Sequence, residues 1–177
     1  MNKVICKFQY PIWPTNVQSV ISTGEPIPEI WFRAIPEGAD CLYLATGFLV
    51  STAADKFLDS ISIGKDRKTK QEMAGLILFK QVTKMFKHSN SKIPAFSDDV
   101  LLDTILFDWK EDAPFAQGGY MYPKVGITKD HLKRVAEPFG RCFFAGEATN
   151  TNACCTVQAA METGQRAAKE VDSFFKE

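Results

Sequence analysis

Residues 3–10 alternate, with Val4, Cys6 and Phe8 on one side and Lys3, Ile5 and Lys7 on the other. That two-residue period predicts a strand with one face in a core. Pro11 and Pro14 end it. Residues 30–34 and 41–49 predict two further strands, joined by the turn Pro36-Glu37-Gly38-Ala39-Asp40. Residues 51–60 predict a short helix capped by Ser51 or Thr52. Residues 66–87 predict a longer one, because Ala74, Ile77, Leu78, Val82, Met85 and Phe86 form a stripe at helical spacing. After a connector at 92–94, residues 100–109 predict another strand, and residues 110–126 a loop of Gly, Pro and aromatics. Thr128 caps a short helix over 128–135. Residues 142–145 predict a buried strand, and 156–175 a final helix. That helix aligns Val157, Ala160, Met161, Gly164, Ala167, Ala168 and Val171 on one face. Strands interleaved with helices predict an α/β (mixed α+β) layer architecture.

Composition narrows the function. With 177 residues, 45% of them hydrophobic and 24% charged, the chain is long enough for a globular core. The 21 basic and 21 acidic residues cancel, so no electrostatic field invites nucleic acid or an anionic membrane. The longest apolar run, residues 41–50, is broken by Thr46 and Gly47 and is too short to span a bilayer. The start runs straight into a strand pattern, with no signal-peptide layout.

The five cysteines form no C-x-x-C pair, which argues against a disulfide framework or zinc site and for an intracellular, cytoplasmic setting. Cys6 and Cys142 fall at buried positions, while the adjacent Cys154 and Cys155 sit in a loop with redox potential. His88 and His131 lie among lysines and read as surface residues. No Ser/His/Asp set, phosphate-binding glycine loop or metal cluster is present.

Four places carry chemistry. Glu147 follows a strand and Gly146, where a carboxylate can accept hydrogen bonds from sugar-type hydroxyls. Thr156 and Val157 open the last helix, whose first N–H groups and positive dipole end stabilise negative charge. Trp109 offers an indole face, and Gly118 and Gly119 allow close backbone approach ahead of Tyr120. Lys3 is a strand lysine whose bland reading is simple exposure, as for Lys7.

The string Cys142-Phe143-Phe144-Ala145-Gly146-Glu147-Ala148-Thr149, followed by Thr156-Val157-Gln158-Ala159-Ala160-Met161-Glu162-Thr163-Gly164, resembles the C-terminal flavin-binding motif of FAD-dependent amine oxidases. That group includes polyamine oxidases and lysine-specific histone demethylases. Trp109 with Pro114-Phe115-Ala116-Gln117-Gly118-Gly119-Tyr120 resembles the family's flavin-lining loop. Lys3-Val4-Ile5-Cys6-Lys7-Phe8 with Trp13-Pro14 resembles its substrate-domain strand.

The resemblance implies a role for each residue. Glu147 contacts the ribityl or phosphate-linker region, the Val157 N–H meets the N1–C2=O edge of the ring, and Trp109 and the glycine loop line the ring. Lys3 holds a water at flavin N5 and assists reoxidation. It implies non-covalent FAD, since Tyr120 stands where some monoamine oxidases carry the attaching cysteine. Thr156 and Met121 stand where monoamine oxidases build a tyrosine cage, which favours the demethylase and polyamine oxidase pattern. Ala159 replaces a usual glycine.

By the same resemblance, residues 1–108 are a portion of the substrate domain with its mixed sheet. Residues 109–177 bring the last strand and helix of the FAD domain. The implied reaction oxidises a small amine to an imine with release of hydrogen peroxide. No G-x-G-x-x-G motif is present, so the expectation is a C-terminal portion, inactive by itself, whose partner is a dinucleotide-binding half. Two other classes stay open: a non-catalytic remnant or interaction module without FAD, and a desaturase or protoporphyrinogen-oxidase-like flavoenzyme. Lys3 argues against the last.

Overall fold

The computed structural model describes residues 1–38, 40–62, 66–87, 99–113, 115–116 and 119–176, with Lys110 by its backbone alone. The predicted connector at 92–94, and Ala39 within the predicted turn, lie outside the described residues. The chain divides into two compact units, Met1–Gln117 and Gly118–Glu177.

The first unit is a sheet with two helices on one face. Strands β1 (Asn2–Phe8), β2 (Ser19–Ile21), β3 (Glu29–Glu37), β4 (Asp40–Leu49) and β5 (Leu101–Asp108) line up in the order β2-β3-β4-β1-β5. All four pairings are antiparallel, where a mixed sheet was expected. Short connections between sequential strands give antiparallel neighbours, as in β3–β4. β2 went unpredicted because three residues show no usable period.

Helices α1 (Ser51–Ser62) and α2 (Arg67–Phe86) cover the face that holds Val4, Cys6 and Phe8, all buried. The alternation of β1 thus runs as its sequence reads. α2 starts at Asp66, whose carboxylate accepts from the Thr69 N–H at 3.0 Å and so satisfies one orphan donor of the first turn. That hydrogen bond holds the Asp66 carboxyl below its ordinary range. Of the predicted stripe, Ala74, Leu78, Val82 and Phe86 are buried, with Ile77 and Met85 against the core's edge.

An aromatic column fills the space between sheet and α2. Trp13 stacks on Phe32 at 4.6 Å between centroids and meets Phe8 edge-on at 5.7 Å. Gln81 is buried on the same helix; its amide oxygen accepts from Ile27 N–H at 3.0 Å and its nitrogen donates to Ile27 O at 2.6 Å. One side chain therefore satisfies both backbone groups of a buried loop residue. Burial pushes the Cys6 thiol up to about 12, so it stays protonated and inert.

The second unit is looser. It contains α4 (Lys129–Ala136), a single 3-10 turn (Glu147–Thr149) and α5 (Val157–Phe174). The predicted cap Thr128 is joined by His131, whose Nδ1 accepts from the Thr128 N–H at 3.1 Å. His131, expected as a plain surface residue, closes the helix start.

Three expectations fail here. Residues 143–145 form no strand, and Cys142 makes only an isolated bridge to Phe139. A strand needs a neighbour for its N–H and C=O groups, and no strand is described in this unit to supply one. Cys142, expected buried, is exposed. The face of α5 that is buried carries Ala159, Thr163 and Ala167, while Val157 and Met161 of the predicted stripe stand 73% and 64% exposed. Counting apolar spacing found an apolar face, but the face this unit covers is the small-residue one.

Gly75 of α2 lies so close to β5 that an added Cβ would run into Thr104 Oγ1, with Leu101 Cδ2 at 3.2 Å. Thr104 Oγ1 is itself held against Cys6 Sγ at 3.7 Å, so it does not give freely. Gly75→Ala gains about 1 kcal/mol of helix propensity and loses about 1–3 kcal/mol to overpacking. A net loss is expected, read as a lower urea midpoint at unchanged slope; an equal or higher midpoint would contradict this packing.

Candidate functional site

Lys3 lies on the sheet face opposite α1 and α2. The register sets it directly between Phe48 of β4 and Phe107 of β5. Neighbouring rows on this face are Thr46, Ile5 and Ile105, then Leu44, Lys7 and Asp103. Lys3 is half-buried and Lys7 exposed, so the two lysines that the pattern made equivalent differ in surroundings. Aromatic neighbours desolvate one stem, whereas Lys7 sits opposite a carboxylate.

The same row reaches Trp109. A short helix, α3 (Trp109–Asp112), caps the end of β5, and the Trp109 ring meets Phe107 edge-on at 5.0 Å. Residues 110–112, expected as the start of a loop, belong to α3. Asp112 fixes the turn: its Oδ2 accepts from the Asp108 N–H at 2.8 Å, and its Oδ1 pairs with the Arg67 guanidinium of α2 at 2.6 Å. Among the described residues Trp109 Nε1 is buried without a hydrogen-bond partner. Sequence alone therefore named Lys3 and Trp109 separately, and the first unit brings them together through Phe107.

In the second unit the organiser is Glu147. Its Oε1 accepts from Met121 N–H at 2.8 Å and its Oε2 from Cys155 N–H at 2.7 Å. One carboxylate thus ties the strip around Tyr120 to the 3-10 turn and to the start of α5. Gly146, with φ of +125°, sits in a region closed to side chains, and nothing lies within 4 Å of where its Cβ would be. Thr156 caps α5, its hydroxyl accepting from Ala159 N–H at 3.1 Å. Val157 and Gln158, ahead of that bond, have N–H groups with no partner inside the helix.

Two residues that sequence reasoning missed hold this arrangement. Thr163 is buried; its hydroxyl accepts from Gly146 N–H at 3.0 Å and lies at the same distance from Ala159 O and Ala160 O. Arg166 donates to Phe144 O at 2.6 Å and Thr149 O at 3.0 Å, with Glu170 beside it at 3.1 Å. Both lie in register with Ala159 and Ala167 along the helix; that polar-among-small spacing was the available signal. Of the remaining predicted residues, Gly119 and Tyr120 are exposed, and Gly118 lies outside the described residues.

A flavin fits these donors and acceptors. Each Glu147 oxygen keeps a lone pair after its backbone bond, enough to accept a ribityl hydroxyl. Nothing described lies within 4 Å of where a Gly146 Cβ would be, and the first N–H groups of α5, which have no partner inside the helix, suit an electron-rich ring edge. Among the described residues no cluster of three or more His, Cys, Asp and Glu could hold a metal, and no helix is long and apolar enough to cross a membrane.

Residues 1–172 match the family described as flavin containing amine oxidoreductase. The chain is 28% identical over 180 residues to histone demethylase-like protein A of Aspergillus fumigatus, covering 97% of this chain and 16% of that protein. It is 24% identical to the bovine peroxisomal N(1)-acetyl-spermine/spermidine oxidase, covering 98% of this chain and 35% of that one. The solved structure of cyclohexylamine oxidase from Brevibacterium oxydans shares the fold at a TM-score of 0.70 and 16% identity. It covers 99% of this chain and 35% of that one. The chain therefore spans between 16% and 35% of the length of these relatives.

Two outcomes follow from the geometry. Glu147→Gln leaves a single acceptor oxygen for two N–H groups, costing about 1–3 kcal/mol locally. Hydrogen exchange at Met121 or Cys155 should quicken about tenfold or more, and unchanged protection at both would contradict the tie. The Arg67 guanidinium holds the Asp112 carboxyl below its ordinary range. Its stabilisation is present above the unfolded carboxylate pKa and is lost as pH falls through the lowered folded value. The stability gap between the native chain and Asp112→Asn is therefore widest at neutral pH and closes on acidification; a pH-independent gap would refute the pair.

Proposed function

The chain belongs to the family of flavin-containing amine oxidoreductases, and from that premise we propose that it supplies the substrate-facing sheet and the C-terminal flavin contacts of an FAD-dependent amine oxidase. The observation that carries the reading is Lys3, half-buried between Phe48 and Phe107 and one ring from Trp109. Bound FAD would supply the two-electron chemistry, taking a hydride equivalent from the carbon beside the amine nitrogen and passing electrons to oxygen.

This chain's residues do the rest. The Lys3 ammonium orients a water and holds a proton for the oxygen step. Its aromatic neighbours thin the surrounding water, and the Trp109 N–H offers a donor to a ring or substrate acceptor. Val157 and Gln158 N–H groups steady negative charge at the ring edge, and Glu147 accepts a ribityl hydroxyl while keeping its loops tied. Attachment is non-covalent, because Tyr120 offers no thiol. The substrate is a small amine, of the kind named for the polyamine-oxidising relatives. The pyrophosphate needs a dinucleotide-binding half that these residues do not contain, so the 177-residue chain alone is expected to bind FAD more weakly than micromolar and to make no peroxide.

A second reading, a non-catalytic interaction module, draws support from the exposed Val157 and Met161. One experiment separates the two. In a chimera, this chain replaces the matching 35% of the bovine relative, and FAD is titrated while peroxide is followed with amines. Saturable binding and amine-dependent peroxide are expected, with Lys3→Met slowing flavin reoxidation about a hundredfold at little change in FAD affinity. Absence of saturable FAD binding would favour the module, and turnover indifferent to Lys3 would remove its assigned role.

A further inference from the structure

Cys154 and Cys155 precede the Thr156 cap, and neither is in a disulfide. Cys155 is exposed and Cys154 half-buried, whereas Cys6 is sealed in the core. Cys155 has φ of +69°, one of two non-glycine residues in the left-handed region among those described. That backbone is disfavoured for a side chain and persists only under constraint. The constraints are visible: the Cys155 N–H donates to Glu147 Oε2 at 2.7 Å, and its thiol donates to Met121 O. Desolvation first, then the hydrogen bond and charge of Cys154, push the Cys155 thiol upward.

We propose that Cys154 and Cys155 are a redox modification site, closed by peroxide into a reversible vicinal disulfide beside the Glu147 tie. One of the two sulfurs attacks one oxygen of hydrogen peroxide; an S–O bond forms, the O–O bond breaks, and the first water leaves. The other sulfur then attacks the oxidised one; the S–S bond forms, the S–O bond breaks, and a second water leaves. Two thiols are oxidised and one peroxide is reduced.

Consecutive Cα atoms lie about 3.8 Å apart, short of the roughly 4.4–6.8 Å that disulfides favour. The bond is therefore strained and easily reduced, which suits a switch and not a staple. Closure removes the S–H that donates to Met121 O, and pulls on the residue next to the α5 cap. The modification needs only added peroxide and stands apart from the flavin reading. That the enzyme's own product serves as oxidant does rest on that reading.

The test uses the full chain with Cys142→Ser, so that the tryptic peptide 142–166 keeps these two cysteines alone. After equimolar peroxide the peptide is expected to lose two hydrogens and refuse iodoacetamide, and dithiothreitol should restore both thiols. Cys154→Ser and Cys155→Ser should each abolish this product, and the native chain should give it with Cys142 still alkylatable. Two alkylatable thiols after treatment, added oxygen on either sulfur, or a bond between two chains would each overturn the proposal.

Discussion

The two-residue period of β1 is the constraint on which the first unit depends. β1 is paired on both sides, to β4 and β5, so its alternation sets the face of every neighbour. Val4, Cys6 and Phe8 commit one face to α1 and α2, and Lys3 is thereby committed to the other. A one-residue slip would exchange core and site together. The aromatic column of Trp13, Phe32 and Phe8 makes such a slip expensive, because it would bring Lys3 and Lys7 into an apolar interior. The position of the candidate catalytic lysine is thus a consequence of core formation.

A comparable economy operates in the second unit, with hydrogen bonds in place of a core. This unit has few buried apolar residues, Ala159 and Ala167 among them, and is held by Glu147, Thr163 and Arg166 reaching backbone groups of separate segments. Each such bond is worth little net but costly to leave unmade. The result keeps the start of α5 and the Glu147 carboxylate in fixed relation, while the Val157 and Met161 side of the helix stays uncovered within the unit. Polar ties thus hold the surface proposed to face the flavin, and the apolar helix face stays exposed within the unit.

Much of this was legible in the residues. Alternation gave β1, strand-like runs gave β3, β4 and β5, and the stripe with Asp66 gave α2 almost to the residue. What escaped was whatever depends on a distant neighbour. The segment 142–145 has strand composition but no partner strand among the described residues of its unit, and Val157 and Met161 of the α5 stripe have core composition yet stand exposed. Trp109 reaches its place through α3 and the Asp112–Arg67 pair, a bond between residues 45 apart in number that no local pattern announces. The resemblance to amine oxidases named Glu147, yet not that both its oxygens are already committed to Met121 and Cys155.

The central claim is that the start of α5 and the Glu147 loop are a flavin-binding surface. The most direct measurement is an amide NMR titration with FAD, on labelled chain assembled with the dinucleotide-binding half of a family member. The account predicts saturable shifts at Val157 and Gln158, with smaller ones at Met121 and Cys155. Saturable FAD binding that leaves those four amides unmoved would contradict it.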